Sequence, residues 1–307
     1  MKKILFLGVG KMGLPMATHV AGLAGLAGLA DLGGGFELEV HDVDDSRKPL
    51  ALAQGLVWCE ELLLRTQQAD LIISSLPHDA ALMSVVQWVQ LHARSGCIYM
   101  DTSTVSVIAS EAVASSLSSR GIEYLRVSVS GNNHMAQAAQ LTVMVSGPRA
   151  CFDACQNIFA AWGPKLFYLG QAEQSRLMKL VVNLLIVQTS AMLAEGLTLG
   201  RKGGLDWSQM WEVLAGSAVG SPILKAKSAQ LGKPLGERDF EPTFTVHQML
   251  KDLDLMLQAG EGLDVPLVQT AITSQWMRSA LAHGEGEKDY AVVIKAIERM
   301  SGLDSRD

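Results

Sequence analysis

Residues 3–20 read Lys-Ile-Leu-Phe-Leu-Gly-Val-Gly-Lys-Met-Gly-Leu-Pro-Met-Ala-Thr-His-Val. The apolar run from Lys3 to Leu7 meets glycine without a polar break, as a strand buried in a parallel sheet does. Gly8-Val9-Gly10-Lys11-Met12-Gly13 follows at once, and from Leu14 the pattern turns helical. Pro15 is tolerable there only because it lies in the first turn. A glycine loop alone is a weak signal. Between a buried strand and a helix it becomes a candidate cradle for a dinucleotide pyrophosphate. Gly8 permits the tight turn, Gly10 lets the backbone approach the phosphates, and Gly13 lets the helix pack close to the strand. The helix start supplies free amides and a positive dipole end, with Lys11 and Met12 on the loop itself.

A nucleotide site of this kind needs an acid at the end of the second strand, to accept hydrogen bonds from the adenosine ribose. Asp42 stands just beyond Val40-His41, 34 residues past Gly8. That spacing is long, and a Gly-Leu-Ala triplet repeated through residues 22–30 accounts for the excess. The carboxylate would repel a 2′-phosphate, and Val43 follows where an NADP enzyme often places arginine. NAD is therefore expected, with Arg47 and Lys48 keeping NADP open. A helix N-cap is the alternative role for Asp42, and the two do not exclude each other. The repeat itself reads as an extension of the first helix, ended by Gly33-Gly34-Gly35. Its other reading, a small-residue membrane packing motif, needs a longer apolar run.

With 49% hydrophobic and 18% charged residues, the chain has enough apolar material for a core and is not a disordered polymer. A net charge of −6 without a dense Lys/Arg run gives nucleic acid no electrostatic footing. Cys59, Cys97, Cys151 and Cys155 form neither a CxxC pair nor a zinc-spaced cluster, so they are expected as small buried apolar residues in a reducing cytoplasm. The N-terminal lysines and apolar run imitate a signal peptide, but Lys11 breaks the run and no cleavage site follows. No later stretch offers about 18 unbroken apolar residues, so no membrane span is expected.

Strand-like runs recur at Phe36–His41, Leu71–Ser75, Cys97–Met100, Ile122–Ser130, Leu141–Val145 and Leu166–Leu169, with helical stretches between them. This alternation predicts an α/β fold, a Rossmann-type doubly wound and mostly parallel sheet. After Gly170 the texture changes. One long helical pattern runs from Ala172 to Arg201, and no convincing strand follows it. The expected division is a dinucleotide-binding domain over residues 1–170 and an all-α domain over 171–307, joined by the long helix.

The stretch from Gly8 to Val20 resembles the opening signature of the β-hydroxyacid dehydrogenase family, which includes 3-hydroxyisobutyrate dehydrogenase. Five later stretches extend the likeness. Ser75-Leu76-Pro77 resembles the family's Leu-Pro turn beside the cofactor. Asp101-Thr102-Ser103-Thr104 resembles its Asp-x-Ser-Thr motif, which places Thr104 near the nicotinamide. Val129-Ser130-Gly131, with Leu141-Thr142, resembles the substrate strand and loop. Lys179-x-x-x-Asn183 resembles the catalytic helix motif, and Phe244 with Lys251-Asp252-Leu253 the C-terminal motif whose lysine reaches cofactor and substrate. The resemblance implies an NAD(P)-dependent oxidoreductase acting on a small 3-hydroxy acid or its semialdehyde. It also implies a helical domain that builds a homodimer or homotetramer.

Lys179 and Asn183 are four apart and share a helix face. Apolar neighbours Leu177, Met178, Leu180, Val181 and Val182 would partly desolvate the lysine, which lowers an ammonium's pKa and suits a proton-transfer group. A surface lysine snorkelling from an amphipathic helix is the bland alternative, which the motif overrides. On this reading Lys179 exchanges the proton with the substrate hydroxyl and Asn183 orients the substrate. Ser130, Gly131 and Asn132 hold it, and Lys251 adds positive charge. No metal constellation is visible.

The substrate segment departs from the family's Asp-Ala-Pro-Val-Ser-Gly-Gly. Here Arg126-Val127-Ser128-Val129-Ser130-Gly131-Asn132 stands in its place, and Met135 and Ala139 replace family glycines. Asn132, Asn133 and His134 add polar groups, which implies either a more polar substrate or loop drift outside the pocket. Two competing readings remain. An imine reductase shares this fold but commonly replaces the lysine, and a non-catalytic dinucleotide-binding protein has no need of Lys179 with Asn183.

Overall fold

The computed structural model describes residues 2–23, 35–234 and 236–303. Most of the Gly-Leu-Ala repeat, with the expected helix extension and its stop at Gly33-Gly34, lies outside the described residues. The chain divides into two compact units, Met1–Lys179 and Leu180–Asp307.

In the first unit β1 (Lys2–Leu7), α1 (Gly13–Leu23), β2 (Phe36–His41), α2 (Arg47–Ala53), β3 (Val57–Trp58), α3 (Leu62–Gln68), β4 (Leu71–Ser74) and α4 (Asp79–His92) follow in order. Then come β5 (Ile98–Asp101), α5 (Val107–Ser118), β6 (Glu123–Ser130), α6 (Asn133–Gln137), β7 (Thr142–Ser146), α7 (Arg149–Ala154), α8 (Gln156–Trp162) and β8 (Lys165–Tyr168). The strands form one sheet in the order β3-β2-β1-β4-β5-β6-β7-β8. Neighbours are parallel except β6 and β7, which pair antiparallel with Ser130 opposite Thr142.

The apolar runs are continuous because helices cover both faces of the sheet. Ile4 and Phe6 enter one core layer with Met16, Ala17 and Trp162, while Leu5 and Leu7 enter the other with Val86 and Tyr99. The chain order reverses at β1, which has β2 on one side and β4 on the other, so their carboxyl ends open a crevice of the kind that binds ligands in doubly wound sheets. The two-residue β3 has no counterpart in the sequence reading. It is an edge strand with Val57 exposed, too short to show a period.

Helix α9 (Gln174–Lys202) begins in the first unit and continues into the second. Its start belongs with the sheet: the Ser175 hydroxyl donates to the Met144 carbonyl at 2.8 Å, and Ser146 donates to the carbonyl of Ala172, just before the helix, at 2.6 Å. Among the described residues α9 alone is long and apolar enough to cross a membrane, and 44% of its apolar window is buried inside the protein.

The second unit continues with α10 (Trp207–Gly216), α11 (Pro222–Ala226), α12 (Ser228–Leu231), α13 (Val246–Gly262), α14 (Val268–Ala282) and α15 (Val293–Met300). Its described residues contain no strand, only an isolated bridge between Thr245 and Asp289. A Thr245–Gln248 capping box opens α13. Buried pairs Lys227–Asp289, at 2.6 Å, and Arg238–Glu298, at 3.0 Å, tie the later helices together.

Ala139 ends α6 in a left-handed conformation, φ +52°, where a glycine would carry no Cβ penalty. With Asn132 and Met135, Ala139 is one of three positions in this segment where the resembled pattern would put glycine. Ala139→Gly should therefore raise stability by about 1 kcal/mol, relief of Cβ strain outweighing the added unfolded-state entropy. Urea denaturation of the two proteins reads this directly.

Candidate active site

The glycine loop is tight on two sides and open on the third. Gly8 has φ +89°, and a Cβ there would lie 2.3 Å from the Ser75 carbonyl oxygen. At Gly13 a Cβ would lie 1.9 Å from the carbonyl oxygen of Gly8. At Gly10 it would meet no protein atom within 4 Å. The fold itself thus needs glycine at 8 and 13, whereas Gly10 leaves a bare backbone facing open space, as a pyrophosphate requires. Val9 is buried, Met12 packs on the core and Lys11 is exposed. The loop fits a dinucleotide.

Asp42 sits at the end of β2 and joins the loop. The Val9 amide donates to its Oδ2 at 2.8 Å, and the Asp44 amide to its Oδ1 at 3.0 Å. A carboxylate has about four acceptor positions, so capacity remains for ribose hydroxyls. Helix α2 is preceded by Ser46, so Asp42 is not its N-cap. Arg47 pairs with Asp44 at 3.2 Å and Lys48 with Glu60 at 2.5 Å.

Behind the loop lies a buried polar cluster. Asp101, fully buried at the end of β5, accepts from the hydroxyls of Ser74 at 2.7 Å and Ser103 at 2.5 Å, and forms an ion pair with Arg176 of α9. Ser103 Oγ in turn accepts the Leu76 amide at 2.8 Å. Leu76, Pro77 and Thr104 thus lie on segments joined through Ser103. Arg176 also donates to the Ser103 carbonyl at 2.6 Å and the Tyr124 hydroxyl at 2.9 Å. Burial disfavours the Arg176 charge, but Tyr124 and Asp101 more than offset it and hold the guanidinium above its ordinary range. Burial likewise pushes the Tyr99 phenol well up, with Asp101 adding to it.

One turn beyond Arg176, Lys179 donates from Nζ to the Val129 carbonyl at 2.8 Å. This brings the half-buried ammonium to the strand end that continues as Ser130 and Gly131. Gly131 has φ +144°, and a Cβ there would strike the Leu141 side chain. Asn132 caps α6, its Oδ1 accepting the Met135 amide at 3.0 Å, so that oxygen is already engaged.

In the second unit Asn183 is buried and donates from Nδ2 to Asp252 Oδ2 at 2.6 Å. An ionised carboxylate only accepts, so Asp252 fixes which way the Asn183 amide faces. Lys251 Nζ lies 3.2 Å from the other Asp252 oxygen.

Two family models cover this chain. The NAD binding domain of 6-phosphogluconate dehydrogenase matches residues 3–170, and the NAD-binding model of NADP-dependent 3-hydroxyisobutyrate dehydrogenase matches residues 174–297. The 2-(hydroxymethyl)glutarate dehydrogenase of Eubacterium barkeri is 32% identical over 98% of this chain and 96% of its own. The chain belongs to the β-hydroxyacid dehydrogenase family. It is an NAD(P)-dependent oxidoreductase. Glyoxylate/succinic semialdehyde reductase 1 of Arabidopsis thaliana is 27% identical, over 95% of this chain and 97% of its own. Among solved structures, Mycobacterium tuberculosis 3-hydroxyisobutyrate dehydrogenase with L-serine has the same fold, with a TM-score of 0.82 at 24% identity over 97% of this chain and 99% of its own.

Within the β-hydroxyacid dehydrogenase family, the arginine at 126 is accounted for by its partner. Arg126 is buried, stacks over Tyr124 at 4.5 Å and donates to Glu173 at 2.7 Å. The sequence alone does not single out Arg176 or Glu173, and it marks Asp252 only as part of a motif. Arg176 left one local trace: a charged residue three positions before Lys179, on the same face of an otherwise apolar helix segment. The four cysteines are buried and free, and burial pushes Cys97 and Cys155 up to about 12. The described residues contain no cluster able to hold a metal.

Gly13→Ala tests the loop. With its Cβ placed against the Gly8 carbonyl, the helix start must move, and NADH affinity measured by fluorescence titration should fall by about tenfold or more.

Proposed function

We propose that this chain oxidises a small 3-hydroxy acid, or reduces the corresponding semialdehyde, with NAD. The observation that carries the reading is the bond from Lys179 to Val129, because it brings the amine next to Ser130 on the strand that resembles the family's substrate segment. When bound, the nicotinamide supplies the hydride acceptor. Lys179 Nζ takes the proton from the substrate hydroxyl in oxidation and returns it to the forming alkoxide in reduction. The Ser130 hydroxyl and the Gly131 amide hold the substrate carboxylate, with Asn132 beside them. Asn183 orients the substrate, held in one flip by Asp252, and Lys251 adds positive charge. On the cofactor side Gly8, Gly10, Lys11, Met12 and Gly13 carry the pyrophosphate. Leu76, Pro77 and Thr104 flank the nicotinamide end.

The preference for NAD rests on Asp42 and on the ion pairs around it. Arg47 and Lys48, the first cations after Asp42 in the chain, are each paired with a carboxylate, and the exposed Val43 carries no charge. The 32% identical relative is named for a hydroxy acid and the 27% identical one for glyoxylate and succinic semialdehyde, which supports the substrate class. Retention of Lys179 argues against the imine reductase and non-catalytic readings.

Two measurements test this. Turnover of 2-(hydroxymethyl)glutarate, 3-hydroxyisobutyrate and L-serine with NAD and NADP, and of succinic semialdehyde with the reduced cofactors, should show oxidation or reduction with NAD preferred. Lys179→Ala should lower kcat by about a thousandfold, within the range for removing a positioned acid or base. Near-normal turnover by that variant would sink the assignment.

The same reading makes the protein a cytoplasmic homodimer or homotetramer. Leu185, Met192 and Leu199 recur every seventh residue along α9, with Val181 one turn before, and their side chains are 61%, 57%, 76% and, for Val181, 43% exposed. Such a stripe suits a subunit interface. Light scattering on the eluting protein should give the mass of two or four chains, and Leu185→Glu should lower it.

A further inference from the structure

Arg176 has a richer set of partners than an ion pair needs. The residue is 2% exposed. One donor goes to the carboxylate of Asp101, and others go to the carbonyls of Ser103 at 2.6 Å and Asp101 at 3.3 Å, to Tyr124 Oη at 2.9 Å and to Ser110 Oγ at 3.4 Å. The two carbonyls belong to the segment that leads into Thr104. Ser103 also holds the Leu76 amide through its hydroxyl. On the helix side, Lys179 follows Arg176 by three residues on the same face, and its Nζ reaches the Val129 carbonyl at 2.8 Å.

We propose that Arg176 is a positioning residue: by clamping Asp101 and Ser103 to the foot of α9, it sets Lys179 and the Leu76 turn in a single rigid frame. The planar fork of the guanidinium is what makes this possible, because it engages a carboxylate and two backbone carbonyls at fixed angles. A lysine would keep the charge and lose the bridge. The inference rests on the reading of Lys179 as the proton-transfer amine.

The test compares Arg176→Lys, Ser103→Ala, Lys179→Ala and Ile158→Ala in the full chain. Ile158 is buried in the other core layer of the sheet, so its truncation supplies a loss of stability without touching the clamp. Lysines are labelled by reductive methylation with 13C, and the Lys179 signal is assigned by its absence in Lys179→Ala. In Arg176→Lys the titration midpoint of that signal should move by about half a pH unit or more, and kcat with 2-(hydroxymethyl)glutarate and NAD should fall by about tenfold at little cost in KM. Ile158→Ala should lower Tm and leave the midpoint in place. Ser103→Ala should weaken NADH binding by about threefold to tenfold, with the Lys179 midpoint unchanged.

An Arg176→Lys protein that loses Tm as Ile158→Ala does, while keeping the wild-type midpoint and kcat, overturns the positioning role and leaves the assignment of Lys179 standing. Unchanged NADH affinity in Ser103→Ala overturns the arm to Leu76. Full turnover by Lys179→Ala overturns the functional reading itself, and the inference with it.

Discussion

The ion pair between Asp101 and Arg176 is the constraint on which the rest of the first unit's chemistry depends. Both partners are withdrawn from water, and loss of either would strand a buried charge at a cost of about 3–5 kcal/mol, several times what a surface pair contributes. The pair is tolerable because its remaining donors and acceptors are filled by Ser74, Ser103, Ser110 and Tyr124. A second pair stands beside it with reversed polarity. Arg126 is the register partner of Asp101 on the next strand, and Glu173, its counter-ion, precedes Arg176 by three residues. Two opposite charges on the sheet face two opposite charges at the foot of α9. The helix can satisfy both only at one height and one rotation.

That geometry explains what could be read from the sequence and what could not. β1, the glycine loop and most later strands were legible because burial on both sheet faces imposes unbroken apolar runs, and because glycine at 8 and 13 answers to backbone contacts within the same loop. β3 was not legible: two residues at an edge carry no period. Asp42 was legible as an acid at a strand end, but its bond to the Val9 amide was not, since nothing local couples residues 33 apart. Arg176 and Asp101 are separated by 75 residues, and a lone arginine in an apolar helix carries no address for its partner. Asn183 and Lys251 were found through motif likeness. The buried carboxylate of Asp252 that joins them lies in the same motif, but a motif does not say which side chains its acid meets.

The altered substrate segment shows how a scaffold absorbs changes. Arg126 would be an unpaired buried charge without Glu173, and the two are intelligible only together. Asn132 replaces a family glycine and takes up the cap of the short helix α6, anchored further by His19, whose Nε2 contacts the carbonyls of Ala136 and Gln137 at 3.0 and 3.1 Å. Since carbonyls only accept, that nitrogen carries the proton. Ala139 is taken up less comfortably, in a backbone region L-residues avoid. Ser130 and Gly131, between these changes, keep the residues of the family pattern.

All four thiols are buried in the resting fold, and desolvation holds each of them above its ordinary titration range. Thiolate is the reactive species, so an alkylating reagent finds almost none of it until the chain opens. Cys97 lies in the core layer beneath α4 and α5, and Cys155 in the layer with α1 and α8. The two layers therefore carry separate internal clocks: the rate at which each sulfur becomes labelled reports how often its own side of the sheet breathes.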